Sequence, residues 1–272
     1  MKKFEFTGET KTISLFFRTA TLHRIRAVAE FGLVKIGDLG GWIEKEENLS
    51  HEGKAWVCGD AKVWGNAKVC GDAKVWGNAK VCGDAEVWGN AKVCGDVEVW
   101  GNAKVCGDAE VWGNAEVWGN AKVWGNAKVW GNAKVCGDAE VWGNAKVCGD
   151  AEVWGNAKVC GDAEVWGNAE VCGDAKVWGN AKVCGDAEVF SASHVLVIGA
   201  IGSRDDFTTF FRDKDNEITV KCGCFLGKID KFLEKVTQTH GDSKYALVYR
   251  AAVEVARLQI DLSGEAPKDA DE

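Results

Sequence analysis

Cysteine, with twelve copies, is the residue type that first suggests chemistry in this sequence. Ten of the twelve recur between Cys58 and Cys184, mostly at twelve-residue intervals, and no histidine lies between His51 and His194. This is not the spacing of a zinc site, and the Cys-Gly-Cys at 222–224 supplies only two ligands. We therefore predict free thiols with a structural role, no metal ion and no cofactor.

The segment 199–206, Gly-Ala-Ile-Gly-Ser-Arg-Asp-Asp, is the best candidate for a binding loop. A strand that ends in a Gly/Ser turn, followed by one arginine and two aspartates, could hold an anion or a metal ion. It is not a P-loop, because the Gly-Lys-Ser/Thr is absent. The candidate binding residues are Ser203, Arg204, Asp205 and Asp206, and the alternative is a solvated loop with a local ion pair.

Composition and charge exclude several classes of protein. A chain with 27% charged and 46% hydrophobic residues is not disordered. No apolar run approaches the roughly 18 residues of a membrane span, and the start, 1–7, lacks the apolar stretch of a signal peptide. A net charge of −8 argues against nucleic-acid binding. We expect a cytoplasmic protein with no membrane and no nucleic-acid partner.

An internal repeat builds most of the chain. From Gly59 to Phe190 the sequence reads Gly-[Asp/Asn]-Ala-[Lys/Glu]-Val-[Trp/Cys] without an insertion. Within the repeat Gly-Asp follows every Cys and Gly-Asn follows every Trp, so the duplicated unit has twelve residues. Four consecutive hexads break this phase, and they carry Trp112, Trp118, Trp124 and Trp130.

The hexad predicts a short strand and a corner. Side chains alternate between the two faces of a strand, so Ala and Val share one face while Lys/Glu and Trp/Cys share the other. The face that carries charge cannot be the dry one, and Ala and Val therefore point inward. Gly followed by Asp or Asn accepts the positive φ of a tight corner. The result is a narrow β-solenoid.

Two coil sizes fit the hexad. Two hexads per coil would stack all Trp on one face and all Cys on another. Three hexads per coil, a triangular prism of 18 residues per turn, place Trp over Cys in every column, which relieves crowding at a coil spacing of about 4.8 Å. We favour three, which also prevents disulfides between stacked coils. The phase break then predicts three Trp-on-Trp contacts: Trp100/Trp118, Trp112/Trp130 and Trp124/Trp142.

The hexads resemble those of left-handed parallel β-helices, the hexapeptide-repeat fold. The lead-in, Gly-Asp-Leu-Gly-Gly-Trp-Ile-Glu at 37–44 and Glu-Asn-Leu-Ser-His-Glu-Gly at 47–53, resembles a narrower family, the hexapeptide-repeat, transferase-like proteins of enteric bacteria and phages. The resemblance covers about residues 1–190. It implies a left-handed coil and a bacterial or phage-infected host, and some members are labelled acyltransferases by analogy with the fold.

Catalysis on the repeat is not expected. Acyltransferases of this fold use a catalytic histidine and loops that project from the coils. Here His51 and His194 flank the repeat and no hexad carries a loop. We predict no catalytic residue and a non-catalytic structural or interaction protein, a rigid spacer or assembly module with a C-terminal specificity domain. The alternatives are a ligand-binding protein or enzyme with its site in the C-terminal domain, or a phage-encoded inhibitor or decoy of a host protein.

The outward tryptophans are the candidate contact surface. So many would exceed the exposed apolar patch of an ordinary monomer. They could be covered by partner subunits, fill gaps over neighbouring Cys and Lys stems, or stack on a sugar or nucleobase. We favour the first, which implies a homo-oligomer or a protein partner. The candidates around the phase break are Trp100, Trp112, Trp118, Trp124, Trp130 and Trp142.

The sequence predicts four parts: an N-terminal β cap over 1–52, the solenoid over 53–196, a small α+β domain over 197–263 and a disordered acidic tail over 264–272. In the cap, β segments are expected at 11–17 and 22–29. In the α+β domain, strands are expected at 195–201, 207–212 and 217–222, followed by two helices. The first helix presents Ile229, Phe232, Leu233 and Val236 inward, and the second presents Tyr245, Val248, Ala252, Val255 and Leu258.

Overall fold

Residues 2–14, 19–265 and 267 are described by the structure, a computed structural model of the chain. Two units, 1–143 and 144–272, separate by their internal contacts, and the division falls inside the hexad array. Each unit therefore contains part of the repeat. No helix in the described ranges is long and apolar enough to cross a membrane.

The first unit opens with an antiparallel hairpin. Strand β1 (Phe4–Ser14) pairs with β2 (Thr19–Ala27), and β2 pairs antiparallel with β3 (Leu39–Ile43). The first predicted β segment, 11–17, thus lies at the end of a longer strand, and its last part falls in 15–18, outside the described ranges.

The parallel stack begins inside the segment predicted as the cap. Trp42 on β3 pairs in parallel with Lys62, and after the 3₁₀ helix Glu46–Asn48 the chain forms a parallel bridge from Leu49 to Val69. A first turn that lacks the hexad pattern is therefore already part of the solenoid, which a search for hexads does not detect.

The hexads of the first unit supply strands β4 to β18. Most are only two residues long, because the other four residues of each hexad form the corner and the short segments on either side of the corner. In order they are Trp56–Val57, Lys62–Val63, Lys68–Val69, Lys74–Gly77, Lys80–Val81, Glu86–Val87, Lys92–Gly95, Glu98–Val99, Lys104–Val105, Glu110–Val111, Glu116–Val117, Lys122–Val123, Lys128–Val129, Lys134–Val135 and Glu140–Val141.

The register confirms three hexads per coil. Lys92 pairs in parallel with Glu110, and Val93 pairs with Val111, so each residue lies beside the one 18 positions later. A coil of two hexads would pair residues 12 apart. Every third strand joins one sheet, which gives three parallel sheets in this unit: β3-β5-β8-β11-β14-β17, β4-β7-β10-β13-β16 and β6-β9-β12-β15-β18.

The interior contains only small side chains, as predicted. The inward Ala and Val of the hexads are fully buried, with 0% exposure at Ala121 and Val117. Val97, the one departure at the Ala position, is also fully buried. Burial of a valine side chain contributes about 1.5–3 kcal/mol, so the repeated Val is the main apolar contribution to each coil.

The corner glycines are required by close approach as well as by conformation. Gly107 has φ +68°, and a Cβ there would lie 2.9 Å from the backbone N of Gly125 in the next coil. Corner backbones also bond between coils, as in the donation from Asp108 N to Gly125 O at 2.8 Å. Any larger residue would push neighbouring coils apart.

The second unit continues with strands β19 to β26. Their register is again 18 residues, as in Lys146 with Glu164 and Glu170 with Glu188. In order these strands are Lys146–Val147, Glu152–Val153, Lys158–Val159, Glu164–Gly167, Glu170–Val171, Lys176–Val177, Lys182–Gly185 and Glu188–Val189.

A small α+β domain follows, as predicted. After the 3₁₀ helix Ala192–His194, four antiparallel strands pair in chain order, and two helices pack on the sheet. The predicted disordered tail at 264–272 falls largely outside the described residues, at 266 and 268–272. The elements are β27 (Val195–Ile201), the 3₁₀ helix Gly202–Arg204, β28 (Asp206–Arg212), β29 (Ile218–Cys222), β30 (Phe225–Lys228), α1 (Ile229–His240) and α2 (Lys244–Gln259).

The predicted inward face of α2 is wrong, whereas that of α1 is confirmed. Of the predicted α2 residues only Ala252 is buried, while Val248, Val255 and Leu258 are exposed. The helix instead buries small residues and one tyrosine, which lets it pack closely on its neighbours. The buried residues of α2 are Ala246, Tyr249, Ala252, Val253 and Ala256.

Within the second unit, the antiparallel sheet covers the last coil. The buried Arg212 donates to the Glu188 carboxylate at 3.2 Å, and its guanidinium lies 4.5 Å from the Phe190 ring centroid. Lys214 forms an ion pair with Asp186 at 2.8 Å. The C-terminal domain therefore protects strand edges at this end of the stack, which would otherwise be open to pairing.

Candidate functional site

The three tryptophan pairs predicted at the phase break are stacked in the first unit. Their ring centroids lie 5.1–5.6 Å apart and their planes differ by 2–6°. Each pair belongs to a different sheet, so every face of this unit carries one pair. The pairs are Trp100/Trp118, Trp112/Trp130 and Trp124/Trp142.

Most of these indoles are half-buried by their own chain. Only Trp100, at 38%, is exposed among the six predicted contact residues. Lysine stems of neighbouring coils cover part of the rings, as at Trp112, where Lys128 Nζ lies 5.9 Å from the ring centroid. The most exposed indole is Trp178, at 67% in the second unit, which the sequence did not single out.

The cysteines are free thiols. Burial raises the pKa of Cys82 and of Cys184 to about 11. Burial is also the first cause that raises the pKa of Cys58, Cys70, Cys94, Cys106, Cys148 and Cys160. A thiol with a raised pKa carries little thiolate at neutral pH and is a weak nucleophile. These side chains fill space beside the larger tryptophans.

The histidines that flank the repeat are held in structural contacts. His51 Nδ1 accepts from the Lys3 backbone N–H at 3.2 Å, and its ring stacks on Phe4 at 4.3 Å. His194 is 2% exposed, and its Nδ1 accepts from the Phe190 N–H at 3.3 Å. Burial lowers the pKa of His194, and the nearby Arg212 lowers it further.

The lead-in residues also have structural roles. Asn48 is fully buried; its amide donates to Ala67 O at 2.8 Å, and its Oδ1 accepts from Lys45 N at 2.9 Å. A Cβ on Gly41 would lie 2.6 Å from Ala61 O. The motif that carries the family resemblance therefore joins the first turn to the hexads.

The four residues of the predicted binding loop are not brought together. Ser203 and Arg204 line a cavity of about 400 Å³ in the C-terminal domain. Asp205 ends the short 3₁₀ helix with φ +47°, and the Asp206 carboxylate accepts from the Phe207 N–H at 2.7 Å. The aspartates are used in the turn and do not line the cavity.

The cavity is completed by residues that the sequence analysis did not assign to a site. Tyr249 from α2 lies at the floor, and Lys235 and His240 come from α1. Burial raises the pKa of Tyr249 to about 12, so its phenol keeps its proton. The lining residues are Ser203, Arg204, Cys222, Cys224, Phe225, Phe232, Lys235, Val236, Thr239, His240 and Tyr249.

The Cys-Gly-Cys pair is split between two environments. The Thr208 hydroxyl lies 3.3 Å from Cys222 Sγ, which lies 3.9 Å from Tyr249 Oη, whereas Cys224 is exposed. Within the described ranges, no group of three or more His, Cys, Asp or Glu side chains is arranged to hold a metal ion.

A larger groove of about 900 Å³ lies in the first unit, beside Phe31 and Trp56. Its lysines are partly neutralised, because Lys54 lies 3.6 Å from Asp72 and Lys92 lies 2.7 Å from Glu110. Acidic side chains therefore line this groove beside its lysines, whereas none lines the C-terminal cavity.

The fold defines the class of protein as a tandem-repeat β-solenoid with a C-terminal α+β domain. Beyond that class, the chain matches no protein-family model and no curated protein. The geometry of the chain itself is therefore the basis of the functional proposal.

Proposed function

We propose that this chain is a non-catalytic structural or interaction protein, a rigid β-solenoid spacer or assembly module with a C-terminal specificity domain. The observation that carries the proposal is the regular pairing of each hexad with the hexad 18 residues later. Between Gly59 and Phe190 the hexads carry no inserted loop that could form an active site on the coils. The outer faces are suited to contact with another large surface.

Pairing between coils supports rigidity. In the first unit, Lys80 contacts Glu98 at 2.6 Å and Lys122 contacts Glu140 at 3.1 Å. Such exposed pairs contribute little individually, but backbone hydrogen bonds also join the coils, as from Lys80 N to Val97 O and from Asp84 N to Gly101 O, both at 2.8 Å. Pairing of this kind within each unit supports the proposal of a rigid module.

The outer tryptophans are the proposed contacts to another copy of the chain or to a protein partner. One stacked pair on each face of the first unit provides flat apolar area. The exposed Val255 and Leu258 of α2 give the C-terminal domain an apolar surface of its own. Membership of the hexapeptide-repeat family and a cytoplasmic location belong to the same proposal.

Sedimentation velocity over about a hundredfold concentration range tests the self-association. We expect the wild-type chain to shift to a larger species, and the double variant Trp100→Lys/Trp118→Lys to remain monomeric with an unchanged circular-dichroism spectrum. The control is Leu33→Lys, which changes an apolar residue of the first unit that is 88% exposed and is not one of the outer tryptophans. A wild-type chain that stays monomeric, with fully quenchable tryptophan fluorescence, would reject self-association.

A further inference from the structure

The cavity of the C-terminal domain combines positive charge with an apolar wall. Arg204 and Lys235 are exposed at its edge beside the half-buried His240, while Phe225 and Phe232 form the wall. No acidic side chain lines the cavity. Among the described residues, no carboxylate is within ion-pair distance of Arg204 or Lys235.

Two glycines make room for the side chains of the cavity. Gly223 has φ +55°, and a Cβ there would lie 2.7 Å from Arg204 Nη1. A Cβ on the buried Gly202 would collide with the Tyr249 hydroxyl. The guanidinium and the phenol therefore each lie against a glycine backbone, where a larger residue would displace them.

The floor of the cavity supplies uncharged donors. The Tyr249 oxygen lies 3.9 Å from the Cys222 thiol, and that thiol lies 3.3 Å from the Thr208 hydroxyl. Because burial raises the pKa of Tyr249 to about 12, the phenol is protonated at neutral pH and can donate a hydrogen bond to a group that enters the cavity.

We propose that this cavity binds a small organic anion with an aromatic or aliphatic body, a carboxylate or a phosphate monoester. Arg204 and Lys235 would hold the anionic group, because charge-assisted hydrogen bonds from guanidinium and ammonium suit both anions. Phe225 and Phe232 would pack against the body of the ligand. A volume of about 400 Å³ lies in the range of small-molecule sites. The site is separate from the tryptophan faces and does not depend on the scaffold role.

Histidine NMR of the full chain tests this proposal, because the chain has only four histidines and one of them, His240, lines the cavity. The probes are benzoate, phenylphosphate and the neutral benzamide. We expect a saturable shift of the His240 imidazole signal with at least one anion and none with benzamide. A response to benzoate alone assigns a carboxylate ligand, and a response to phenylphosphate alone assigns a phosphate monoester.

Variants locate the binding. Arg204→Gln and Lys235→Gln should each raise the dissociation constant of the anion by about tenfold, the usual effect of losing one charge-assisted hydrogen bond. Lys231→Gln, on the same helix but outside the cavity, should bind like the wild type. Both edge residues are exposed, so these variants are expected to fold. The proposal is overturned by no saturable shift with either anion, by an equal response to benzamide, or by wild-type affinity in both edge variants.

Discussion

At the corners of the coils, the choice between asparagine and aspartate is electrostatic. Asn amides donate to the residue 18 positions later, as from Asn78 to Asp96 at 2.8 Å and from Asn66 to Asp84 at 3.0 Å. Because each Asp follows a Cys and each Asn follows a Trp, the size alternation of the faces also prevents Asp from stacking on Asp. The sequence therefore carries two coupled signals in each hexad, the size of the outer residue and the charge of the corner residue that follows it.

Asn78→Asp should therefore destabilise the chain at neutral pH. The new carboxylate would lie between Asp60 and Asp96 of the adjoining coils, and like charges in direct register cost about 1 kcal/mol. Urea unfolding at pH 7 should show this loss, and near pH 3, where aspartates are protonated, it should disappear.

The matched control is Asp96→Asn, which leaves asparagine on asparagine. That arrangement already occurs at the phase break, where Asn102 donates to Asn120 at 3.0 Å. This control should be nearly neutral. Equal destabilisation by both variants, at both pH values, would contradict the electrostatic explanation.

His194 should make the chain less stable in acid. Its pKa is lowered from 6.5, chiefly by burial, so the folded state binds a proton less readily than the unfolded state. The contribution of neutral His194 to the free energy of unfolding is therefore fully present above about pH 6.5, the pKa in the unfolded chain. It is lost as the pH falls below that value toward the lowered pKa of the folded state. NMR titration should give the His194 imidazole a pKa below 6.5, and a value at or above 6.5 would show that burial does not control this group. His194→Gln should reduce the loss of unfolding free energy between about pH 7 and pH 5.

At the scale of single elements, a strand or helix face could be predicted from the sequence only where contacts between residues near in sequence determine it. The strands and corners of the hexads could be predicted, because alternation and Gly-Asp/Asn turns act over a few residues. The buried face of α2 could not be predicted, because large apolar residues such as Leu247 and Leu258 occur on its exposed side. Packing against the rest of the domain determines that the alanines are buried instead. The cavity around Arg204 and Tyr249 joins residues far apart in sequence, and no spacing indicated it.

Two corner glycines allow two energetic costs of a side chain at the corner to be measured separately. One is the cost of the left-handed backbone conformation, and the other is the cost of a clash with the next coil. Gly161 has φ +72°, and a Cβ there would lie 3.0 Å from Gly179 N, whereas Gly179 has φ +63° and nothing within 4 Å of its Cβ position. Gly179→Ala should cost about 1 kcal/mol for the left-handed conformation.

Gly161→Ala should cost at least about 1 kcal/mol more than Gly179→Ala, because it also overpacks the next coil. Chemical denaturation of the two variants beside the wild type gives both values. The account of coil spacing is contradicted if the two substitutions are equally destabilising.

At the scale of the whole molecule, one register explains most of the described features. A turn of 18 residues places Trp over Cys, Asn over Asp and many Lys beside Glu, as at Trp76 with Cys94, Asn78 with Asp96 and Lys92 with Glu110. The composition follows from it, since most of the tryptophans and cysteines occupy the outer position of the hexad. The scaffold proposal depends on this register, because a coil of another length would leave the outer faces without these pairs.

Zero-length carbodiimide cross-linking of the native chain, read by mass spectrometry, tests the register most directly. It joins lysine and carboxylate side chains that are already in contact. We predict links between residues 18 apart, at Lys80–Glu98, Lys92–Glu110 and Lys122–Glu140, whose charged atoms lie 2.6–3.1 Å apart. Links between residues 12 apart, such as Lys74–Glu86 and Lys104–Glu116, in place of these would contradict the three-hexad coil and the scaffold built on it.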